Sequence, residues 1–162
     1  MNYATIKETD IANGTGVRVS LFVSGCTHYC KGCFNEFAWD FNYGNKFTED
    51  TIKYIIDCLK PNYIKGLTLL GGEPMHPRNQ ECILNLLKRV NESYPNKDIW
   101  CYTGYLYEDL LDRGCAHTSY TNEILEYIDI LVDGPFILEQ KDITLKFRGS
   151  ANQRIIYLKD KK

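Results

Sequence analysis

Apolar positions along the chain change period several times, and each change marks an element. Residues 17–23 (VRVSLFV) are dense in β-branched and large apolar side chains and stop at Ser24-Gly25, which predicts a strand. From Phe47 the period lengthens. Thr48 suits an N-cap, Glu49 and Asp50 suit a first turn, and Ile52, Ile55, Ile56 and Leu59 recur at helical spacing until Pro61, so an amphipathic helix is expected there. Residues 67–70 run apolar into Gly71-Gly72 and predict a buried strand. Asn79 is the expected cap of a second helix, with Ile83, Leu86, Leu87 and Val90 on one face and Pro95 beyond its end. Residues 98–103 predict a third strand, 106–112 and 122–128 short helices, 129–133 a fourth strand and 154–158 a last one.

Strands alternating with helices imply βαβ units, hence an α/β fold with a mainly parallel sheet. An eight-unit barrel typically needs about 250 residues. This chain of 162 residues offers four or five βα units, so any barrel it forms is partial and open. No repeat, low-complexity tract or linker interrupts it, and one domain over 1–162 is expected, with a frayed tail at 159–162.

Composition narrows the function classes. Lys and Arg total 19 against 21 for Asp and Glu, a net charge of −2 that gives no electrostatic footprint for nucleic acid. Hydrophobic residues at 44% and charged residues at 25% fit a soluble globular chain with a real core. The apolar runs are far shorter than the roughly 20 residues of a membrane span. The opening MNYATIKETD lacks the basic start and apolar stretch of a secretory signal, so a cytoplasmic setting with reduced thiols is expected. Seven cysteines are then the informative number, because it is odd and Cys26, Cys30 and Cys33 crowd into one short loop.

Chemistry in parallel α/β folds gathers at the C-terminal ends of the strands. After the first predicted strand comes SGCTHYCKGCF; after the second, GGEP; after the third, Thr103-Gly104-Tyr105; after the fourth, Asp133-Gly134-Pro135-Phe136. Three thiolates in one loop can reach a common centre, and soft sulfur ligands select iron–sulfur clusters, zinc or cuprous ion. A structural zinc site needs four protein ligands. No second Cys-x-x-Cys knuckle is present, and His28, lying between two of the cysteines, is the alternative fourth ligand. Cys58, Cys82, Cys101 and Cys115 read most simply as small core hydrophobes. A cubane held by three cysteines would leave one iron open for a substrate or cofactor.

Cys-x-x-x-Cys-x-x-Cys after the first strand, followed by GGEP after the second, resembles the radical S-adenosylmethionine superfamily. Within it the chain resembles the activases of anaerobic ribonucleotide reductases over nearly its whole length: residues 13–18 (NGTGVR), LFVSGC, CKGCFN, GLTLLGGEP, DIWCYTGY, LVDG and the late RGSANQR. Many members of the superfamily carry an aromatic residue before the third cysteine. Here Gly32 stands there and Phe34 follows, as is typical of the reductase activases.

The resemblance implies a 4Fe-4S cluster on Cys26, Cys30 and Cys33, with S-adenosylmethionine chelating the open iron. It implies that Gly71, Gly72 and Glu73 meet the methionyl end, and that Gly32, Cys33 and Phe34 border the adenine, although Phe34 as plain core is the competing reading. Thr103 and Asp133 are expected to bond the ribose or methionyl groups, with a simple turn at Asp133-Gly134 as the alternative. Gly14, Gly16, Arg148, Asn152, Gln153 and Arg154 are expected to contact the partner or substrate. Implied partners are the large anaerobic ribonucleoside-triphosphate reductase and reduced flavodoxin as electron donor. The implied activity is reductive cleavage of the cofactor and transfer of a radical to a glycine of the reductase. No general base is needed for that, and no catalytic residue beyond cluster and cofactor is expected.

Overall fold

The computed structural model describes residues 1–159; of the tail expected to fray, 160–162 lie outside them. In chain order the elements are β1 (Asn2–Asp10), β2 (Val17–Val23), β3 (Asn45–Lys46), α1 (Glu49–Leu59), β4 (Ile64–Gly71), α2 (Pro77–Ser93), β5 (Asp98–Tyr102), α3 (Tyr107–Leu110), α4 (Thr121–Tyr127), β6 (Ile130–Asp133) and β7 (Arg154–Tyr157). All strands join one sheet in the order β3-β1-β2-β4-β5-β6-β7.

The four central strands β2, β4, β5 and β6 are parallel and adjacent in chain order, as the βα alternation predicts. The edges depart from that prediction. β1, β3 and β7 all run antiparallel to their neighbours, so the sheet is mixed. Besides the two-residue β3, β1 is the strand that the hydrophobic pattern misses. It lies toward the sheet edge, its side chains are mostly half-buried or exposed, and its apolar positions are too few to register as a run.

Alternation along the strands divides the side chains between two faces. Val19, Leu21, Val23, Leu67, Leu69, Ile99, Cys101 and Leu131 meet Ile52, Ile55 and Leu59 of α1 and Ile83, Leu86, Leu87 and Val90 of α2 in the main core. In α1 the cap is as expected: the Thr51 hydroxyl accepts the Thr48 N–H at 3.1 Å. The start of α2 corrects the sequence reading. Pro77 opens the helix, the His76 ring Nδ1 accepts Arg78 N–H at 3.2 Å, and Asn79 is turned inward, donating to the carbonyls of Ser24 and Glu73.

The opposite face is more polar. It carries Arg18 and Ser20 on β2, Thr68 on β4, and a second apolar cluster of Trp100, Ile130 and Val132 with Tyr102, Phe147 and Ile155. Arg18, wholly buried, donates to Thr68 Oγ1 and to the carbonyls of Thr15, Leu67 and Asp98, pairs with the Asp98 carboxylate, and lies beside the Trp100 ring. Gly14, at φ 126°, packs against that guanidinium where a Cβ would collide. No helix among the described residues is long and apolar enough to cross a membrane.

Candidate active site

Residues 24–35 leave β2 as a loop that turns back across the ends of the parallel strands. Gly25, Tyr29 and Gly32 adopt positive φ in it. Cys26, Cys30 and Cys33 face one cavity of about 550 Å³, whose wall also includes Gly32, Phe34, Gly71, Gly72, Glu73, Thr103, Gly104, Tyr102, Arg148 and Gln153. The ends of β2, β4 and β5 thus meet at one site, as expected of strand termini in a parallel sheet.

All seven cysteines are unpaired. Asn35 N–H donates to Cys33 Sγ at 3.4 Å, and the backbone N–H groups of His28 and Phe136 lie close enough to Cys26 and Cys30 to favour their thiolates. Such bonds favour thiolate and are a recognised means of tuning iron–sulfur centres. Burial pushes the Cys26 thiol up to about 11, against the opposing pull of the His28 N–H. Metal binding there would release a proton. Three unpaired thiols with sulfur-directed N–H donors on one cavity wall fit a thiolate-ligated cluster. Among the described residues, no three His, Cys, Asp or Glu side chains are arranged to hold a single metal ion.

The GGEP segment fits closely under the cysteine loop. Gly72 N–H donates to Val23 O at 2.7 Å and Glu73 N–H to Gly25 O at 2.9 Å. Glu73 is 1% exposed, and its carboxylate accepts four hydrogen bonds. Oε1 takes Met75 N–H and the Thr103 hydroxyl, both at 2.8 Å; Oε2 takes Gly104 N–H at 2.7 Å and His28 Nε2 at 2.8 Å. The carboxylate therefore joins the loop after β2, the turn after β4 and the end of β5. His28, considered from sequence as a zinc ligand, has its Nε2 turned to Glu73.

Other expected site residues lie elsewhere. Asp133, fully buried, pairs with Arg154 and accepts Tyr107 N–H at 2.7 Å, while Arg154 also bridges to Glu108 at 2.7 Å. Neither Asp133 nor Arg154 lines the cavity, and nor do Gly14, Gly16 or Asn152. Asn152 donates to Pro135 O, and Gln153 both donates to Gly134 O and accepts Gly149 and Ser150 N–H, so the RGSANQR segment is largely bonded to itself and to the turn after β6. Phe34 is 83% exposed at the cavity wall, which overturns its reading as core. Cys101 is core, Cys58 and Cys82 are half-buried, and Cys115 is exposed in the segment between α3 and α4, contrary to the expectation that it packs inside. The bond from His28 to Glu73 is what sequence reasoning missed: between two cysteines the imidazole reads as a fourth metal ligand, and its partner lies 45 residues away.

Comparison with known proteins agrees with this chemistry. A family model described as a 4Fe-4S single cluster domain matches residues 12–156. The anaerobic ribonucleoside-triphosphate reductase-activating protein of Vibrio cholerae is 48% identical over 157 residues, covering 96% of this chain and 97% of the relative. Proteins of the same name from Enterobacteria phage T4 and Escherichia coli K12 are 43% and 41% identical, covering 96% and 98% of this chain and 93% and 100% of their own lengths.

Proposed function

The chain belongs to the anaerobic ribonucleoside-triphosphate reductase-activating proteins and carries a 4Fe-4S single cluster domain, and from that premise we propose that it is the oxidoreductase that installs a glycyl radical on the large anaerobic reductase. When bound, the cluster and S-adenosylmethionine would supply the one-electron chemistry, reductive cleavage of the cofactor with release of methionine, that ends in removal of a hydrogen atom from a glycine Cα of the partner.

The chain's own residues bind, orient and enclose. Cys26, Cys30 and Cys33 would hold the cluster, three thiolates for four irons, so that the cofactor would complete the ligation. The observation that carries this reading is that all three line the same cavity as Gly71, Gly72 and Glu73. Gly71 and Gly72 bring backbone to the methionyl end of the cofactor without a Cβ in the way. Gly32, Cys33 and Phe34 border the adenine, with the exposed Phe34 ring as an apolar wall. Thr103 and Glu73 fix the ends of β5 and β4 around the ribose and methionyl groups, and Asp133 supports the rim from behind through Arg154 and Tyr107. Arg148 and Gln153, on the cavity wall, are the members of the late motif that contact the incoming glycine segment. Gly14, Gly16, Asn152 and Arg154 shape the loops around it.

We read the sheet as an open, partial βα barrel: its inner face is the polar one, and the open side admits a loop of another protein. A glycine has no side chain to recognise, so selectivity rests on the surrounding partner. The setting is cytoplasmic, and a reduced flavodoxin supplies the electron.

Anaerobic purification should give a brown protein with about four irons per chain, since one cubane is held. With dithionite and S-adenosylmethionine it should release methionine and 5′-deoxyadenosine, and with the reductase it should yield a glycyl EPR doublet. Zinc without iron, or a doublet only with a formate lyase, would overturn the reading.

A further inference from the structure

We propose that His28 is a positioning residue that ties the cysteine loop to the Glu73 carboxylate and so sets the separation between the three sulfurs and the strand ends where the cofactor lies. This rests on the reading above that Cys26, Cys30 and Cys33 hold the cluster and that the cavity takes S-adenosylmethionine.

The geometry of the carboxylate carries the inference. Glu73 is buried, and its two oxygens are each committed to two donors: Met75 N–H and Thr103 Oγ1–H on one, Gly104 N–H and His28 Nε2 on the other. An ionised carboxylate only accepts, so Nε2 carries a hydrogen and the imidazole donates. Of the four donors, His28 alone belongs to the cysteine loop. Met75 lies beyond β4, and Thr103 and Gly104 lie at the end of β5.

The ring has a built seat. A Cβ on Gly104 would fall 2.5 Å from the His28 ring, so this close approach requires glycine there. Tyr105 also packs against the imidazole, with ring centroids 4.5 Å apart in an edge-on arrangement. Next to His28, Tyr29 sits at φ 50° with its side chain largely exposed, so the loop turns out to solvent immediately after the anchored imidazole. A carboxylate filled in this way is not a free ligand for the cofactor's ammonium. It acts through the loop and strand ends that it joins.

The test uses the anaerobically reconstituted protein with S-adenosylmethionine as the probe. It compares wild type with His28→Ala, His28→Gln, Glu73→Gln and the His28→Ala/Glu73→Gln double variant. Iron per chain, cofactor affinity by equilibrium dialysis and the EPR spectrum of the reduced cluster with and without cofactor are measured. His28→Ala should keep its iron, bind the cofactor about tenfold more weakly, the worth of one hydrogen bond to a charged group, and lose the cofactor-induced change in the EPR spectrum. His28→Gln, whose amide can donate to the same oxygen, should recover most of both. In the Glu73→Gln background the His28→Ala change should cost about twofold or less, because the charge that strengthens the hydrogen bond is already gone.

Affinity and spectrum unchanged in His28→Ala, glutamine no better than alanine, or fully additive losses in the double variant would each overturn the proposal. A wild-type protein that holds iron but has no affinity for the cofactor, or holds no iron, would instead overturn the functional reading on which the proposal stands. If His28→Ala does not fold, as judged by circular dichroism, the comparison of His28→Gln with Glu73→Gln decides: similar losses in both would overturn the role of His28.

Discussion

Gly72 lies directly beneath the carbonyl of Gly25: a Cβ built on Gly72 would meet that oxygen at 2.8 Å and the Ala38 oxygen at the same distance. Both obstacles are backbone, so neither can swing aside as a side chain would. Gly72→Ala should therefore push the cysteine loop off the end of β4, weakening the Glu73 N–H to Gly25 O bond beside it. The expected loss is about 1–3 kcal/mol of stability in the metal-free protein, the usual range for overpacking. Urea unfolding of the apoprotein measures that loss, and faster loss of iron to a chelator reports the displaced loop. Wild-type values in both would show that the close approach is not needed.

Arg18 anchors the opposite end of the same strands. Its guanidinium is fully buried, and its partner Asp98, 2.6 Å away, reaches the surface. Asp98→Asn leaves that charge buried with neutral acceptors only, and breaking a buried pair from one side costs about 3–5 kcal/mol. Arg18→Met, which removes the charge while keeping much of the volume, should be milder than Asp98→Asn on this argument. The two midpoints from denaturant titration give the order directly, and the reverse order would mean that the hydrogen bonds to Thr68, Leu67 and Thr15 outweigh the ion pair.

The strands and helices that lie against the main core were legible because burial imposes a period. The windows around 17–23, 49–59 and 98–102 coincide closely with the observed elements. β1 was not legible, since a mostly exposed strand near the edge carries no apolar run, and Asn79 was misread as a cap because its buried contacts to Ser24 and Glu73 are 55 and 6 residues away in sequence. The cysteine triplet pointed to a soft-metal site through its spacing, and GGEP joined it through its place at a strand end and the resemblance to the radical S-adenosylmethionine superfamily. The Glu73 network could not be read that way: its donors come from positions 28, 75, 103 and 104, which only the parallel sheet brings together. Asp133 likewise reads from sequence as either a cofactor ligand or a turn residue, and neither reading signals its partner Arg154, 21 residues on.

Asp10 should make stability depend on pH below the ordinary carboxylate range. Burial raises its pKa, but hydrogen bonds from Asn13, Ala12 N–H and Ser20, with help from Lys7, outweigh that and hold it below the usual 3.8. A depressed folded-state pKa means that the stabilisation is complete above the unfolded value and is lost as pH falls through the folded one. Unfolding midpoints should thus be level in this respect at neutral pH and decline below about pH 4. Asp10→Asn should lower stability at neutral pH and flatten that decline. If the variant and wild type keep a constant difference from neutral pH to pH 3, Asp10 does not contribute through its charge.

The seven cysteines divide into two groups that a single series can separate. Cys26, Cys30 and Cys33 share one cavity wall, whereas Cys101 is sealed in the core, Cys58 and Cys82 are half-buried on helices, and Cys115 is exposed. On the proposed function the cubane is held by these three thiolates with no spare ligand, so replacing any of them with Ser would put a harder, poorly deprotonated oxygen at one iron. Each of these variants should lose most of its iron after anaerobic reconstitution and all reductive cleavage of S-adenosylmethionine. Cys115→Ser should keep wild-type iron, because nothing in the core depends on that thiol. Cys101→Ser should keep its iron too but unfold at lower denaturant, since a hydroxyl in an apolar interior lacks the hydrogen bonding it had in water, a penalty of roughly 1–3 kcal/mol. Iron per chain and urea midpoints, measured side by side, distinguish ligand loss from core damage. If Cys115→Ser lost iron as completely as Cys30→Ser, the cluster would have a fourth cysteine, and the open corner on which cofactor binding depends would not exist.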